Sequence, residues 1–121
     1  MSVGPQMILV AGPYRSGTGG DPARIAANVD AMTEVALELY RRGHLPALGE
    51  WFALPLIEAA HRWGWDGSDP DADIFHPVAE ALLARCDAVV RIGGASEGAD
   101  RMVATARALG KRVYVGLEEV P

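Results

Sequence analysis

The chain has 121 residues, half of them apolar, and a formal net charge of -5. This length predicts one domain over residues 1–121, and the acidic balance without a run of Lys or Arg argues against binding to nucleic acid or to an anionic membrane. The single cysteine, Cys86, excludes an internal disulfide, and no Cys/His cluster has the spacing of a metal site. We expect Cys86 to be a core thiol.

The N-terminal segment Met1–Gln6 has neither the basic region nor the apolar stretch of a secretory signal. No apolar run approaches the roughly 20 residues of a membrane span. We therefore expect a cytoplasmic protein.

The first third of the chain predicts a strand, a loop and a helix. Met7–Ala11 is a continuous apolar run, which is typical of a strand buried on both faces. The glycine-rich stretch Gly12–Gly20 follows as a loop. Asp21 and Pro22 then predict a helix start, with Asp as the N-cap and Pro at the first helical position, and Gly43 ends the helix.

The middle of the chain has weaker signals. Leu45–Leu48 predicts a short strand whose proline favours the edge of a sheet. A helix over about Trp51–Trp63 follows, and Pro55 either divides it or lies in its first turn. The stretch Gly64–Asp73 predicts a surface loop, and Pro77 is expected to open the third helix.

The last third repeats the strand, loop and helix pattern. Asp87–Ile92 predicts a buried strand, Gly93–Gly98 a second glycine-rich loop, and Ala99–Leu109 a helix that Gly110 ends. Arg112–Val115 predicts the last strand.

The alternation of strands and helices predicts an α/β fold with a small, doubly wound parallel sheet of flavodoxin or Rossmann type. We expect four to five strands in the order 2-1-3-4. In that order the winding reverses between strands 1 and 3, where open α/β sheets bind ligands. The two glycine-rich loops leave these strands, so the sequence predicts a crevice for a small anionic ligand such as a nucleotide.

Both loops carry candidate binding residues. At the second loop, Gly98 lets backbone approach a ligand beside the unpaired N–H groups of a helix start, and Ser96 either donates a hydroxyl or caps the helix. At the first loop, Gly12 allows a similar approach. Arg15 either binds a phosphate or carboxylate or is solvated, and Tyr14 can stack on a base or donate its hydroxyl.

Several short motifs resemble the nucleoside 2-deoxyribosyltransferase superfamily, whose small members include deoxynucleoside 5′-monophosphate N-glycosidases. The resemblance runs from residue 7 to residue 115 and rests on Ile8–Tyr14, Cys86–Val90, Ser96-x-Gly98 and Ala106–Lys111 ahead of a strand.

The resemblance implies a function for both loops. The first loop would surround sugar and base, and the Ser-x-Gly loop would hold a 5′-phosphate. The family's nucleophilic glutamate, six residues after that serine, falls on Met102, and a sugar-contacting aspartate falls on Ala79. A thioether cannot act as a carboxylate nucleophile. The resemblance implies no metal or organic cofactor, and a homodimer.

Other carboxylates could replace the missing glutamate. Glu50 follows strand 2 at the same edge of the sheet, where it reaches the crevice or simply precedes the second helix. Asp100 lies near the start of the last helix and Glu97 lies in the loop before it, and each either reaches the crevice or provides favourable charge for the first turn. Glu50 and Asp100 are the catalytic candidates.

The histidines and tryptophans leave further alternatives. The histidines lack metal spacing and are expected to be structural or solvated; they are His44, His61 and His76. The tryptophans frame the second helix and could wall a base pocket, form an oligomer interface or pack in the core; they are Trp51, Trp63 and Trp65.

Three functional hypotheses follow. The first is an N-glycosidase or deoxyribosyltransferase acting on a small-molecule nucleoside or nucleoside 5′-monophosphate. The second is a nucleotide-binding module without catalysis, which Met102 and Ala79 favour. The third is a structural or interaction protein without a ligand, which leaves the two glycine-rich loops unexplained.

Overall fold

A computed structural model describes residues 4–121, and the prediction that Met1–Gln6 is not a secretory signal falls partly on residues outside this range. The elements in chain order are β1 Met7–Ala11, α1 Pro22–Arg41, β2 Leu45–Ala47, α2 Gly49–Trp63, α3 Pro70–Arg85, β3 Ala88–Arg91, α4 Glu97–Ala108, β4 Arg112–Tyr114 and a short 3-10 helix at Leu117–Glu119.

The four strands form one parallel sheet in the order β2-β1-β3-β4. Leu9 at the centre of β1 pairs with Ala47 in β2 and with Val89 in β3. The predicted α/β fold and strand order are confirmed, with four strands. β2 lies at the edge of the sheet, as its proline indicated.

Both faces of the sheet are covered, which explains why β1 and β3 are apolar throughout. On one face, Ile8 and Val10 pack against Met32 and Leu39 of α1. On the other face, side chains of the sheet pack against α3 and α4 in a cluster that contains Leu9, Val89, Leu83, Met102 and Ala106. α2 lies further out and packs against α3.

Two helices begin with the same Asp-Pro pair. Asp21 caps α1 by accepting a hydrogen bond from the N–H of Ala23 at 3.0 Å, as predicted. Asp69 caps α3 by accepting from the N–H of Asp71 at 3.1 Å. The predicted start of the third helix at Pro77 is therefore wrong by about two turns, because the cap signal lay inside the stretch interpreted as a loop.

Two prolines lie inside helices. Pro77 sits in the middle of α3, and Pro55 sits in α2 beyond its first turn without dividing it. Neither alternative predicted for Pro55 is correct. Each proline removes one backbone hydrogen bond, and the tertiary contacts between α2 and α3 compensate for that loss.

Cys86 is a core residue, as predicted, and burial raises the pKa of its thiol to about 11. None of the helices in residues 4–121 combines the length and the apolar character that a membrane crossing requires.

Candidate functional site

The β1–α1 and β3–α4 loops meet at the carboxyl edge of the sheet, and glycines make the contact possible. A Cβ added to Gly12 would lie 2.9 Å from Cγ1 of Ile92. A Cβ added to Gly93 would lie 2.7 Å from Cδ of Pro13, and Gly93 also has a φ of +74°. Both glycines therefore serve the close approach of the two loops.

Two adjoining cavities open beside these loops. The larger one has a volume of about 390 Å³, within the range of small-molecule sites, and the smaller one about 50 Å³. Three residues line both cavities: Tyr14, Phe75 and Gly98. A ligand in the larger cavity would therefore lie next to the entrance of the smaller one.

Glu50 lines the smaller cavity. It is the second residue of α2, directly after the edge strand, and only 7% of its surface is exposed. Burial raises the pKa of its carboxyl group, while a hydrogen bond from its own backbone N–H lowers that pKa to a smaller extent. A carboxyl group buried beside an open cavity is typical of functional sites.

The smaller cavity also contains the two positions at which the sequence differs from the family that its short motifs resemble. Met102 and Ala79 both line it, together with Glu50. Met102 is a buried member of the core cluster on the α3 and α4 side of the sheet. The carboxylate in this cavity thus comes from α2 instead of α4.

Asp100, the other catalytic candidate, lies elsewhere. Its carboxylate accepts a hydrogen bond from Nε of Arg91 at 3.1 Å and is 69% exposed. Arg91 in turn donates to the carbonyl groups of Ile92 and Gly94. Asp100 therefore anchors the β3–α4 loop from outside, and it is absent from the lining of both cavities.

Ser96 is the N-cap of α4. Its buried hydroxyl oxygen accepts a hydrogen bond from the N–H of Ala99 at 3.2 Å. Gly98, two residues later, faces the cavities: a Cβ there would meet only Cε1 of His76, at 3.8 Å. Ser96 thus caps the start of α4, and Gly98 leaves the space beside it free of a side chain.

The β1–α1 loop is held in shape by its own side chains. The hydroxyl of Thr18 donates to the carbonyl of Arg15 at 2.6 Å and accepts from the N–H of Gly20 at 3.2 Å. Nδ2 of Asn28 in α1 donates to the carbonyl of Tyr14 at 2.8 Å. These bonds fix the backbone that presents Tyr14 and Arg15 to the larger cavity.

Arg15 and Asp71, from different elements, meet in the lining of this cavity, and Asp71 also contacts His61. Asp71 in α3 accepts from Nη2 of Arg15 at 3.4 Å, and its other oxygen lies 2.7 Å from Nε2 of His61 in α2. The Arg15 pair is long and mostly exposed, so it contributes little stability. An anionic ligand could therefore replace Asp71 as the partner of Arg15.

An aromatic row forms one wall of the larger cavity. The Tyr14 and Phe75 rings are parallel, with centroids 5.4 Å apart, and the His76 ring meets Phe75 edge-on at 5.6 Å. Nδ1 of His76 is buried without a hydrogen-bond partner among the described residues. Phe75 and His76 thus belong to the site.

Sequence reasoning missed Asp71, Phe75 and His76 as site residues because it started α3 too late. A helix that begins after Asp69 places Asp71, Phe75 and Ala79 on one face at steps of four residues. The Asp-Pro pair at positions 69 and 70 was the signal that could have revealed this face.

The three tryptophans are all substantially exposed, so of the alternatives left open for them core packing is wrong. None of the three tryptophans lines either of the two cavities at the sheet edge. Within residues 4–121, no group of three His, Cys, Asp or Glu side chains is placed to hold a metal ion.

The sequence matches no protein-family model, and no curated protein resembles it at a significant level. The family resemblance seen in the short motifs therefore stays a prediction.

Proposed function

We propose that the crevice binds a nucleoside or nucleoside 5′-monophosphate and that Glu50 is the carboxylate for cleavage or transfer of its N-glycosidic bond. The observation that supports this most strongly is the position of Glu50. It is buried in the small cavity that adjoins the larger aromatic one. In this proposal the protein works in the cytoplasm without a metal ion or an organic cofactor.

The larger cavity has the features that a nucleoside needs. Tyr14 and Phe75 provide an aromatic wall for the base, and Leu54 and Ile57 add apolar surface. The open start of α4 at Gly98 and the guanidinium of Arg15 would face an anionic group. Such a ligand would place its sugar between the two cavities.

Glu50 can then act on the anomeric carbon. Its carboxylate would attack that carbon while the bond to the base nitrogen breaks, and the base would leave with the bonding electron pair and take a proton from water. Water or a second base would next displace Glu50 from the sugar. Burial disfavours the negatively charged form of the Glu50 carboxyl group. The positive charge that develops on the sugar in the transition state would stabilise this form, and that stabilisation would lower the activation barrier.

The test is release of free base from a panel of nucleosides and 5′-monophosphates. We expect the natural chain to release base and Glu50→Gln to lose at least about 100-fold in rate while ligand binding persists. Glu58→Gln, an exposed carboxylate of the same helix, is the matched control with unchanged rate. Loss of release in Asp100→Asn but not in Glu50→Gln would transfer the role to Asp100.

A second candidate is a nucleotide-binding module without catalysis, which is favoured by Met102 and Ala79 at the family's carboxylate positions. Absence of base release, together with thermal stabilisation by nucleotides, would establish it and overturn the enzyme proposal. A ligand at 100 times its Kd raises the free energy of unfolding by about 2.7 kcal/mol, which is easily detected. No stabilisation by any nucleotide would contradict both candidates.

A further inference from the structure

A third cavity lies along α1, beside the two at the sheet edge. It is an open groove of about 490 Å³, within the range of small-molecule sites, and we call it the α1 groove. The first turns of α1 contribute residues that share one side of the helix: Pro22, Ile25, Ala26, Val29 and Asp30. Ile25 and Val29 are half-buried, so the helix gives the groove an apolar surface.

Shared residues join the α1 groove to the crevice. Tyr14, Arg15 and Leu54 line both the groove and the larger of the two crevice cavities, which we now call the aromatic cavity. The backbone of Tyr14 and Arg15 is fixed by hydrogen bonds from Asn28 and Thr18. A ligand group bound at Arg15 would therefore border both spaces.

Arg15 makes this junction cationic. Within residues 4–121, it is the only Arg or Lys in the lining of the aromatic cavity or of the α1 groove. Its side chain is 63% exposed, and its 3.4 Å pair with Asp71 contributes little stability. A phosphate that bridges two parts of one ligand would complement the charge of this junction.

The charge changes sign along the groove. Asp30 lies eight residues after Pro22, which is about 12 Å along the helix at about 1.5 Å per residue. Its exposed carboxylate repels a further anion, but it can accept hydrogen bonds from hydroxyl groups. Carboxylates bind ribose hydroxyls in this way in dinucleotide sites.

These features select the group that the α1 groove would hold. That group is neutral, has an apolar face for Ile25 and Val29, and carries hydroxyls for Asp30. A nucleoside has all three properties. If its 2′ and 3′ hydroxyls contact Asp30, its 5′ oxygen remains for the link to phosphate. The nucleotide in the crevice is also linked through its 5′ oxygen, so a 5′–5′ pyrophosphate connects the two.

We propose that the crevice and the α1 groove together bind a dinucleotide. A 5′–5′ pyrophosphate at Arg15 joins the nucleoside in the aromatic cavity to a second nucleoside in the groove. This inference rests on the proposed function, because the first nucleoside is the one whose N-glycosidic bond lies beside Glu50. It adds the substrate class, since a monophosphate would leave the groove empty.

Titration calorimetry on Glu50→Gln, which leaves the N-glycosidic bond intact, is the test. Three ligands with the same base are compared for each common base: the 5′-monophosphate, the 5′-diphosphate and the 5′–5′ dinucleoside pyrophosphate. We expect the dinucleotide to bind at least about tenfold more tightly than the monophosphate, because the second nucleoside adds apolar contact and hydrogen bonds to a charged group. The diphosphate should gain less.

The outcomes separate this inference from the proposed function. Equal affinities for monophosphate and dinucleotide would overturn the inference and leave the proposed function standing. An equal gain for diphosphate and dinucleotide would also overturn it, because the second nucleoside would then contribute nothing. Binding of none of these ligands to Glu50→Gln or to the natural chain would overturn both.

Two neighbouring alanines of α1 provide a matched pair of variants that locates the second nucleoside. Ala26 and Ala27 are both exposed, and Ala26 lines the α1 groove whereas Ala27 does not. In the Glu50→Gln chain, Ala26→Phe should fill the groove and remove most of the advantage of the dinucleotide over the monophosphate. Ala27→Phe should keep that advantage. A folded Ala26→Phe variant with the full advantage would overturn the placement in the groove.

A second pair tests the carboxylate. Asp30→Ala should reduce the dinucleotide advantage by about three- to tenfold through loss of hydrogen bonds to a charged group. Glu34→Ala is the control, because Glu34 is an exposed carboxylate one turn further along α1 and outside the groove lining. Equal advantages in the two variants would contradict recognition of the ribose by Asp30.

Discussion

Gly49 and Ala79 touch where the start of α2 crosses α3: a Cβ added to Gly49 would lie 3.0 Å from the Cβ of Ala79. This contact packs the start of α2 against position 79, which lines the smaller cavity and where the family that the sequence resembles has an aspartate. It also sets the direction of the first turn of α2, which carries Glu50 into the smaller cavity.

Gly49→Ala should lower the free energy of unfolding by about 1–2 kcal/mol, because the added methyl group crowds Ala79. Denaturant unfolding measures this loss. Gly49→Ala should cost less in an Ala79→Gly chain, where the opposing methyl group is absent; Ala79→Gly alone is the reference, because glycine inside a helix itself costs about 1 kcal/mol. An equal loss from Gly49→Ala in the natural and the Ala79→Gly chain would contradict crowding between these residues.

Glu50→Gln should stabilise the protein increasingly as pH rises. Burial raises the folded-state pKa of Glu50, so its favourable contribution is complete below the unfolded value near 4.5 and is lost as pH rises through the folded pKa. Each pH unit of displacement corresponds to about 1.4 kcal/mol. Unfolding of both proteins from pH 4 to pH 8 tests this. A constant difference across that range would show that the carboxyl group is not buried in solution.

Ser96→Ala should destabilise the protein by about 1 kcal/mol through loss of the α4 cap. Ser96→Asn is the control, because asparagine also caps helices and should keep the free energy of unfolding within about 0.5 kcal/mol. Thermal unfolding of the two variants measures the difference. Equal stability of both would mean that the hydrogen bond to Ala99 contributes nothing.

Asp71→Asn should raise the affinity for nucleoside 5′-monophosphates by roughly three- to tenfold. The carboxylate of Asp71 holds Arg15 at 3.4 Å, and neutralising it frees the guanidinium for an anion. Titration calorimetry with a monophosphate and with the matching nucleoside separates this effect. An equal change for both ligands would show that Arg15 does not recognise the phosphate.

Much of the fold could be predicted because its signals are local. The apolar run at Met7–Ala11 and the glycine-rich loop after it predicted a buried strand ending at a crevice, and the structure contains both. The proline of β2 indicated the sheet edge. The start of α3 was predicted two turns too late, because Asp69-Pro70 suits both a helix start and a turn, and contacts with α2 favour the helix.

The sequence by itself determined the order of the strands and the meeting of the two glycine-rich loops. Both follow from features that can be identified along the chain, namely the alternation of strands and helices and the positions of the glycines. Only the tertiary structure decided which carboxylate faces the crevice. Glu50 is buried there because Gly49 packs against Ala79, whereas Asp100 pairs with Arg91 on the outside. The direction of a side chain depends on the elements packed around its helix, and periodicity along the chain does not specify that packing.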